Sequence, residues 1–383
     1  MRVAVVTESF LPAVNGVTNS VLQVVAHLRR RGHEAMVIAP GAGPDEVPGA
    51  PSVPVVRVPA VDLPVVDSLP VGVPTPAVRA ALAEFRPDLV HLASPFVLGA
   101  RALSVARRMD VPAVAVYQTD VAGFASSYGI GLTARAAWRW IRRLHSGAAR
   151  TLAPSRWAVD ALRAHGVPRV HRWGRGVDTA RFDPARRDHD LRAALAPRGE
   201  LLVGYVGRLA PEKQVERLAA LEGLPGVRVV VVGEGPSRAR LGEVLPSAHF
   251  LGFRHGTELA RAYASFDAFV HTGPHETFSQ AVQEAQASGL PVLAPDAGGV
   301  ADLVAPGRTG WLYDPAAADD GIAGRVAAWR DDAGARRAMG AAGRRAVLGR
   351  TWPSVCEELL GHYAAVLDGR VGDDGDTAGV VAA

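Results

Sequence analysis

The chain has 383 residues, of which 48% are hydrophobic, so it is long enough to form two domains with separate cores. Its one cysteine, Cys356, excludes an internal disulfide and a cysteine-rich metal site, which fits a reducing cytoplasm. The sequence begins directly with a strand-like run and contains no stretch of about 18 uninterrupted apolar residues. We therefore expect a cytoplasmic protein, soluble or peripheral on a membrane.

Charge is divided unevenly along the chain. Residues 1–184 hold 21 Arg against 13 Asp and Glu, a net charge of +8, whereas the remainder has a net charge of −4. A basic half can meet nucleic acid or an anionic membrane surface. Zinc-finger spacing and aromatic RNA-binding motifs are both missing from the sequence, so the membrane surface is favoured and no nucleic-acid partner is expected.

Short apolar runs alternate with amphipathic segments of helix length, which is the pattern of parallel α/β sheets. In the first half, strands are predicted at 2–6, 34–39, 53–58, 88–92, 112–117 and 150–153, with helices at 17–31, 75–85, 97–109, 132–147 and 156–165. In the second half, strands are predicted at 201–206, 227–232, 248–251, 267–271 and 290–294, with helices at 212–222, 237–244, 257–265, 279–288, 319–331 and 334–348.

Each half has the pattern of a doubly wound domain. Charges and prolines interrupt the periodicity between Gly176 and Arg198, which predicts domains at 1–184 and 199–350. A last helix at 353–368 is expected to pack back on the first domain. The tail 369–383 has too little apolar surface to pack, so we expect it to be disordered.

The chain contains a single lysine, Lys213, among 42 basic residues. It follows the strand 201–206 and the turn glycine Gly207, and Pro211 suits the first position of a helix. A cation in a first helical turn opposes the helix dipole unless an anion shares the site. Arg208 lies in the same turn, so the segment predicts a site for a phosphate-bearing ligand.

Two glutamates separated by seven residues, Glu276 and Glu284, form the second candidate site. Thr277 or Ser279 can cap the helix that carries Glu284. A carboxylate one or two turns inside that helix can reach ribose hydroxyls while the helix N-terminus holds phosphate. The loop 7–17 lacks the Gly-x-Gly-x-x-Gly pattern of dinucleotide sites, although Gly16 still permits close approach of a ligand.

Together these segments resemble the retaining glycosyltransferases of family 4. The fold implied is GT-B, an α/β architecture of two doubly wound Rossmann-like domains facing across a cleft. The resemblance covers nearly the whole chain. It rests on Gly207-Arg208-Leu209 with Glu212-Lys213, on the Glu-x7-Glu pair, on Arg175-Gly176-Val177-Asp178 and on Gly298-Gly299.

A narrower resemblance is to GDP-mannose-dependent α-mannosyltransferases of bacterial glycolipid synthesis. It rests on the loop 7–17, on Tyr117-Gln118-Thr119-Asp120 and on Gly123-Phe124. Many members have His at the position of Gln118, where it hydrogen-bonds the transferred sugar. Glutamine can donate and accept such a bond but cannot become cationic.

The resemblance implies front-face transfer in which the departing phosphate takes the acceptor's proton. Arg208 and Lys213 would stabilise the leaving diphosphate, Glu276 would hold sugar hydroxyls, and Glu284 would hold the ribose. The segment Phe250 to Phe253, with Leu251, would border the base. Other donor-binding residues would be Gly16, Gly207, Gly235, Thr277, Phe278 and Ser279, and Gly16 and Asp120 would also line the acceptor side. The catalytic set is thus Arg208, Lys213, Glu276, Asp120 and Gln118, without a cofactor or metal.

The expected function is transfer of a hexose, most simply mannose from GDP-mannose, to a glucuronosyl diacylglycerol or a phosphatidylinositol mannoside. Two alternatives remain open: a sugar-nucleotide epimerase of the same architecture, and a non-catalytic nucleotide-sugar-binding protein. The helix 132–147 carries four arginines interleaved with tryptophans, which is typical of helices that lie on a membrane surface. An ordinary helix packed by its tryptophan side fits the same pattern.

Overall fold

The computed structural model describes residues 1–62, 70–73, 75–118, 131–317 and 321–370. These residues form two compact units, one comprising Met1–Arg175 with the chain from Trp352 onward and the other comprising Gly176–Thr351. Each unit is built on one parallel sheet.

The first unit contains a parallel sheet of seven strands and a separate antiparallel pair. Its strands are β1 (Arg2–Thr7), β2 (Glu34–Pro40), β3 (Val55–Val58), β4 (Ala60–Asp62), β5 (Pro70–Gly72), β6 (Leu89–Ala93), β7 (Ala113–Val116), β8 (Arg150–Ala153) and β9 (Val170–Arg172). The order in the main sheet is β3-β2-β1-β6-β7-β8-β9, so the order reverses between β1 and β6. Its helices are α1 (Gly16–Arg30), α2 (Pro76–Phe85), α3 (Val97–Arg108), α4 (Gly131–Ser146) and α5 (Arg156–Ala164).

The second unit repeats this plan with six parallel strands. They are β10 (Leu201–Val206), β11 (Val227–Val232), β12 (His249–Gly252), β13 (Ala268–Val270), β14 (Val292–Pro295) and β15 (Gly310–Tyr313), in the order β12-β11-β10-β13-β14-β15. The helices are α6 (His189–Leu195), α7 (Arg238–Val244), α8 (Gly256–Ser265), α9 (Gln280–Ala287), α10 (Ile322–Asp331) and α11 (Ala333–Val347), and a last helix, α12 (Trp352–Leu367), returns to the first unit.

Both sheets are covered on two faces, and the side chains of each strand alternate between two cores. In β1, Val3 and Val5 belong to one core whereas Ala4 and Val6 belong to the other. Strands buried on both faces consist almost entirely of apolar residues, which is why these short runs are visible in the sequence. The protein therefore has the predicted α/β class with two doubly wound units.

Helix α12 packs on the first unit through buried groups. Trp352 and Tyr363 lie in the same core as β1. The Trp173 indole N–H donates to the Val355 carbonyl at 2.8 Å, and the Tyr363 hydroxyl lies 2.7 Å from Nδ1 of His91. Burial lowers the pKa of His91 to about 3, so the ring is neutral and can accept from the hydroxyl.

The boundary between the units differs from the predicted one. The first unit ends at Arg175 rather than at residue 184, because Val177 and Phe182 are buried in a core of the second unit. The segment that reads as an interrupted linker also contains α6, whose Leu195 reaches that core. Strands β4, β5, β9 and β15 are absent from the prediction; all four are short, and they lie at a sheet edge or in the separate antiparallel pair.

The tail beyond Arg370, predicted to be disordered, lies outside the described residues, as do Asp120 and Gly123-Phe124.

Candidate active site

The strand order of the second sheet reverses between β10 and β13, and these two strands pair in parallel. Loops that leave the carboxyl ends of two such strands diverge and form a crevice, the usual ligand position in doubly wound sheets. The loop after β10 carries Arg208 and Lys213, and the loop after β13 carries Glu276. The topology thus brings the two predicted halves of the donor site together.

Lys213 and Glu276 form a direct ion pair. The lysine Nζ lies 2.7 Å from Oε1 of Glu276, and their side chains are 19% and 18% exposed. The Thr272 hydroxyl donates to the backbone carbonyl of Lys213 at 2.6 Å and so ties the two loops together. An anion does share the site of the only lysine, and in the described structure that anion is the carboxylate of Glu276.

The helix predicted at 212–222 is wrong. Pro211–Lys213 and Val215–Leu221 are two 3-10 segments, separated by Gln214 with a φ of 48°. A left-handed residue ends the first segment after a single turn, so no α-helix dipole acts on Lys213. The contact that explains the position of Lys213 is the ion pair with Glu276.

The charges around Glu276 keep it ionised. Burial raises its pKa, but Lys213 and His271 more than offset this effect and the pKa falls to about 2. The His271 Nε2 lies 3.4 Å from the same carboxylate oxygen. Sequence reasoning missed His271, although its place directly after β13, beside Glu276, is a signal that it belongs to the site.

Arg208 is more exposed than Lys213, at 40% of its side chain. Its Nη1 lies 3.8 Å from Oε1 of Glu212, a carboxylate that is only 2% exposed. That distance exceeds a hydrogen bond, so Arg208 keeps its donors available for a ligand.

Two glycines of the predicted site segments, Gly235 and Gly298, are also required by the fold, because another backbone lies close to each. A Cβ on Gly235 would lie 2.3 Å from the Leu209 carbonyl oxygen, and the residue has a φ of 154°. Gly235 therefore lets the loop after β11 lie directly against the loop after β10. Gly298 has the same kind of constraint, since a Cβ there would meet the Pro274 and Glu276 carbonyls at 2.6 and 2.8 Å.

Helix α9 begins as the capping pattern predicts. Ser279 is its N-cap, and the Ser279 hydroxyl accepts from the Val282 N–H at 3.4 Å. Thr277 is buried in the preceding loop, and Phe278 is half-buried. Further along the helix, burial raises the pKa of Glu284 to about 8, against the opposing effects of the Tyr263 hydroxyl and Arg181. Glu284 is therefore largely protonated at neutral pH.

Leu251 lies in β12 at the edge of the second sheet, between Phe250 and Gly252, and Phe253 follows. Arg238 lies over the Phe250 ring at 3.7 Å, whereas Phe253 is 58% exposed. An exposed phenylalanine beyond this strand end offers a flat apolar surface of the kind that bases stack on.

In the first unit, the strand order reverses between β1 and β6, and Gly16 lies at the end of the loop after β1. Asn15 caps α1 by accepting from the Val17 and Thr18 N–H groups, both at 3.0 Å. A Cβ on Gly16 would meet nothing within 4 Å. The fold of this unit therefore does not require glycine here, and the open space in front of the helix start is available to a ligand.

Glu8, which sequence reasoning did not single out, fixes the same loop. Its side chain is buried, and Oε1 accepts from the Phe96 and Gly99 N–H groups at 2.7 and 2.8 Å. Burial raises the pKa of Glu8, although the N–H donors at the start of α3 oppose the rise. The signal was present in the sequence as a carboxylate one residue beyond β1.

Gln118 lies two residues beyond β7 and is 8% exposed. Asp120, the other predicted catalytic residue of this unit, is outside the described residues. Among the residues that are described, no group of three His, Cys, Asp or Glu side chains is placed to hold a metal ion.

The two tryptophans of α4 have different environments. Trp138 is half-buried and stacks on His165 with 3.6 Å between ring centroids, whereas Trp140 is 38% exposed. The four arginines of this helix are exposed: Arg135, Arg139, Arg142 and Arg143. Within the described part of the chain, no helix has the length and hydrophobicity needed to cross a membrane.

Comparisons with known proteins agree with this geometry. Residues 14–181 match Glycosyltransferase Family 4 and residues 187–346 match Glycosyl transferases group 1. The chain is 57% identical over 373 residues to a GDP-mannose-dependent alpha-mannosyltransferase of Mycolicibacterium smegmatis, covering 97% of this chain and 99% of that protein. It is 28% identical to a GDP-mannose-dependent alpha-(1-6)-phosphatidylinositol dimannoside mannosyltransferase of Mycobacterium tuberculosis, covering 99% of this chain and 100% of that protein.

Among solved structures, a sucrose-phosphate synthase of Thermosynechococcus elongatus is similar with a TM-score of 0.81 and 20% identity, covering 96% of this chain and 99% of that one. That likeness shows a shared fold, which is GT-B. The two doubly wound units and the matched sequences define a hexosyltransferase. The chain belongs to glycosyltransferase family 4.

Proposed function

We propose that this enzyme transfers mannose from GDP-mannose to a glycolipid acceptor with retention of the anomeric configuration. The observation that carries the donor assignment is the 57% identity, over nearly the whole of both chains, to a protein named for GDP-mannose. The placement of Arg208, Lys213 and Glu276 at one switch point supports a nucleotide-sugar site in the second unit, and Glu284 lies in α9, the helix that follows the loop of Glu276.

The fixed cations suit the leaving group. As the bond between the sugar and the phosphate breaks, negative charge develops on the diphosphate, and preorganised donors lower the barrier by roughly 3–4 kcal/mol each. Lys213 and Arg208 supply such donors. When diphosphate draws Lys213 toward itself, the ionised carboxylate of Glu276 is free to accept from sugar hydroxyls.

The proton and the new bond balance without a protein nucleophile. The acceptor hydroxyl oxygen bonds the anomeric carbon from the same face that the diphosphate leaves. Its proton passes to the departing phosphate oxygen, which Arg208 and Lys213 hold close to the reacting carbon. Glu284, protonated at neutral pH, can both donate to and accept from ribose hydroxyls.

The assignment of a glycolipid acceptor is supported by the name of a relative and by the positive charge on helix α4. The mycobacterial relative is named for phosphatidylinositol dimannoside, a glycolipid. The exposed arginines of α4 lie in the unit that carries Gly16 and Gln118. A basic helix with an exposed tryptophan suits an enzyme that works at the inner, anionic face of a membrane.

The test is turnover with defined donors and acceptors. The purified enzyme is given GDP-mannose, UDP-glucose or ADP-glucose, together with glucuronosyl diacylglycerol or a phosphatidylinositol mannoside in mixed vesicles. Mannosylated lipid whose anomeric coupling in NMR is α supports the proposal. Mannose transfer with a β product would contradict retention, and release of a new sugar nucleotide without an acceptor would identify an epimerase.

A further inference from the structure

A buried histidine, His271, lies beside the ion pair between Lys213 and Glu276. It is the first residue after β13 and is 3% exposed. Its Nε2 lies 3.4 Å from Oε1 of Glu276, the same oxygen that Lys213 Nζ contacts at 2.7 Å. Two side chains from two loops of the second unit therefore approach one carboxylate oxygen, and Lys213 is the closer of the two.

The backbone sets the position of His271. The His271 N–H donates to the Leu293 carbonyl of the neighbouring strand at 2.8 Å, and the Tyr313 hydroxyl donates to the His271 carbonyl at 3.3 Å. A Cβ on Gly273 would lie 3.5 Å from Nε2 of His271 and 3.4 Å from Cδ of Lys213. The imidazole and the lysine chain thus lie side by side, next to a residue that has no side chain.

The imidazole of His271 lacks a hydrogen bond from either ring nitrogen to another residue within the described part of the chain. Burial of a polar group without a partner lowers stability, so the group calls for a structural explanation. The carboxylate within reach is that of Glu276, whose Oε1 is already held by Lys213. A small approach of Nε2 would give the imidazole a partner once Lys213 moves away.

Binding of a diphosphate at Lys213 would deprive Glu276 of its closest cation. Burial raises the pKa of Glu276, and Lys213 followed by His271 lowers it to about 2. Two other groups face this carboxylate from β10 and the loop after it, the acid Glu212 and the Tyr205 hydroxyl, whose pKa is raised by burial and then by the charges of Glu276 and Glu212. Among the described residues, His271 is the other side chain that reaches Oε1.

We propose that His271 is a positioning residue that replaces Lys213 as the partner of Glu276 when a diphosphate takes the lysine. The Nε2–H group of the imidazole then donates to Oε1, and the carboxylate stays charged and fixed. The inference rests on the proposed function, because it takes the leaving diphosphate to bind Lys213. It concerns the second unit alone, and it gives His271 an effect on ligand binding without contact with the ligand.

The first test is ligand affinity, measured by calorimetry with GDP and with inorganic pyrophosphate. His271→Leu leaves the pair of Lys213 and Glu276 intact without ligand, so its melting temperature should stay within about 2 °C of wild type. With ligand bound, Glu276 would lose both partners, so the Kd for each ligand should rise about tenfold or more. His271→Gln, whose amide N–H can donate to Oε1, should bind within about threefold of wild type. A His271→Leu enzyme that melts lower but binds with the wild-type Kd would overturn the proposal, because that result describes a purely structural histidine.

Proton uptake is a second readout, and loss of packing does not produce it. In His271→Leu, a buried Glu276 that loses Lys213 to the ligand has a raised pKa and takes a proton from solvent. The Kd of this variant should therefore approach that of wild type as the pH falls from about 8 to about 5, since proton and ligand bind together. Comparison with wild type at each pH cancels the protonation of the ligand's own phosphates.

The matched control is His91→Leu, which replaces a histidine of the first unit that is 1% exposed and contacts the Tyr363 hydroxyl. It should lower the melting temperature and leave the pH dependence of ligand binding as in wild type. A ratio of His271→Leu to wild-type Kd that stays constant over the pH range would overturn the proposal.

A double-mutant cycle with Glu276→Gln tests whether His271 acts through Glu276. When a neutral amide replaces the carboxylate, loss of the imidazole leaves no buried charge behind. His271→Leu should then change the Kd for GDP less than about twofold in the Glu276→Gln background. Equal losses in both backgrounds would overturn the proposal.

Wild-type protein labelled with 15N-histidine decides the same question if His271→Leu folds poorly. The resonance of His271 is assigned by its absence in His271→Gln. Its Nε2–H proton should become protected from exchange with solvent when GDP binds, because it then donates to Oε1. A signal that saturating GDP leaves unchanged would overturn the proposal.

Failure of the proposed function gives a different set of results. If pyrophosphate binding depends on His271 as expected but the wild-type enzyme transfers no mannose, the function fails and the role of His271 stands. If the enzyme transfers mannose from GDP-mannose while His271→Leu binds GDP like wild type, the role of His271 fails and the function stands. Wild-type protein that binds neither GDP nor pyrophosphate would overturn both.

Discussion

The side chains of Lys213 and Glu276 neutralise each other in the described structure. Burial acts against the charge on Glu276, and the 2.7 Å contact with Lys213, together with His271, more than offsets that cost. A diphosphate carries more negative charge than one carboxylate, so it competes for the lysine. The ion pair therefore keeps Lys213 and Glu276 charged before a nucleotide sugar binds.

Lys213→Ala should lower kcat at least about tenfold, the effect of removing one donor from a charged leaving group. Lys213→Arg should also be impaired, because a planar fork does not replace a compact ammonium at a tight site. Turnover of GDP-mannose is the measurement, and Arg254→Ala, which removes a cation that is 43% exposed, is the control. An activity within a factor of two of wild type would mean that the lysine serves only to hold Glu276.

Transfer should survive chelation, since two fixed cations can do the work of a divalent ion at the leaving diphosphate. The loops after β10 and β13, which carry the donor candidates, contain no Asp-x-Asp pair. Initial rates measured with and without EDTA should agree within experimental error. Loss of activity in EDTA, with recovery in magnesium or manganese, would show that Arg208 and Lys213 are insufficient.

Glu284 gives the fold a pH dependence of known sign. Its pKa in the folded chain is about 8, above the ordinary value of 4.5, so the folded state holds the proton more tightly than the unfolded state. The group therefore lowers the free energy of unfolding progressively as the pH rises from 4.5 toward 8. Below 4.5 both states are protonated and the effect vanishes.

Glu284→Gln should remove that penalty. We expect a gain of about 1–2 kcal/mol in the free energy of unfolding at pH 8, discounted because the side chain keeps some contact with water. No gain is expected at pH 4. Urea titrations at the two pH values measure the difference, and an equal change at both would point to packing instead of ionisation.

At the scale of elements, the predicted donor glycines fall into two kinds. Gly235 lets two loops interlock by their backbones, and the Leu209 N–H donates to the Glu234 carbonyl at 2.9 Å beside it. Gly16 has open space in front of it and begins a helix that is already capped by Asn15. The sequence shows a glycine in both positions and does not distinguish them.

The Gly16→Ala variant should fold like wild type, with a melting temperature within about 2 °C, yet lose turnover because its methyl group occupies ligand space. The Gly235→Ala variant should instead be destabilised, by about 2 kcal/mol or more, through a backbone clash and a disfavoured φ. Thermal unfolding and kcat together separate the two. A Gly16→Ala enzyme with full activity would remove Gly16 from the binding site.

The elements show where sequence reasoning succeeds and where it stops. Strands such as β10 and β11 are visible because burial on both faces demands an unbroken apolar run. Ser279 can be predicted as a helix cap because its hydroxyl accepts from a backbone N–H only three residues further on, that of Val282. The 3-10 break at Gln214 is not visible, because no local sequence pattern predicts a glutamine with a φ of 48°. His271 and Glu8, which lie in separate units, were missed because their roles depend on contacts that only the folded loops create, with Glu276 and with the Phe96 and Gly99 N–H groups respectively.

At the scale of the whole molecule, each unit has its own sheet, its own cores and its own candidate groups at a reversal of strand order. Donor candidates cluster in the second unit, and Gly16 and Gln118 lie in the first. The units also differ in net charge, because residues 1–175 with 352–382 have a net charge of +4 and residues 176–351 have a net charge of 0. The unit that we assign to the lipid acceptor is therefore also the basic one.

Helix α4 should bring the enzyme to an anionic membrane. Its arginines are exposed, Ile141 and Leu144 are buried, and Trp140 is partly exposed, so the helix has a fixed inner side and a basic outer side. Each basic residue near an anionic leaflet contributes about 1 kcal/mol, so changing Arg139, Arg142 and Arg143 to Ser should weaken binding by about 3 kcal/mol.

The matched control changes Arg240, Arg337 and Arg345 of the second unit, all exposed, to Ser. Co-sedimentation with vesicles containing anionic lipid measures the difference, and salt should abolish binding because the Debye length falls to about 3 Å at 1 M. Equal binding by the two triple variants would show that overall charge, and not this helix, directs the protein to the surface.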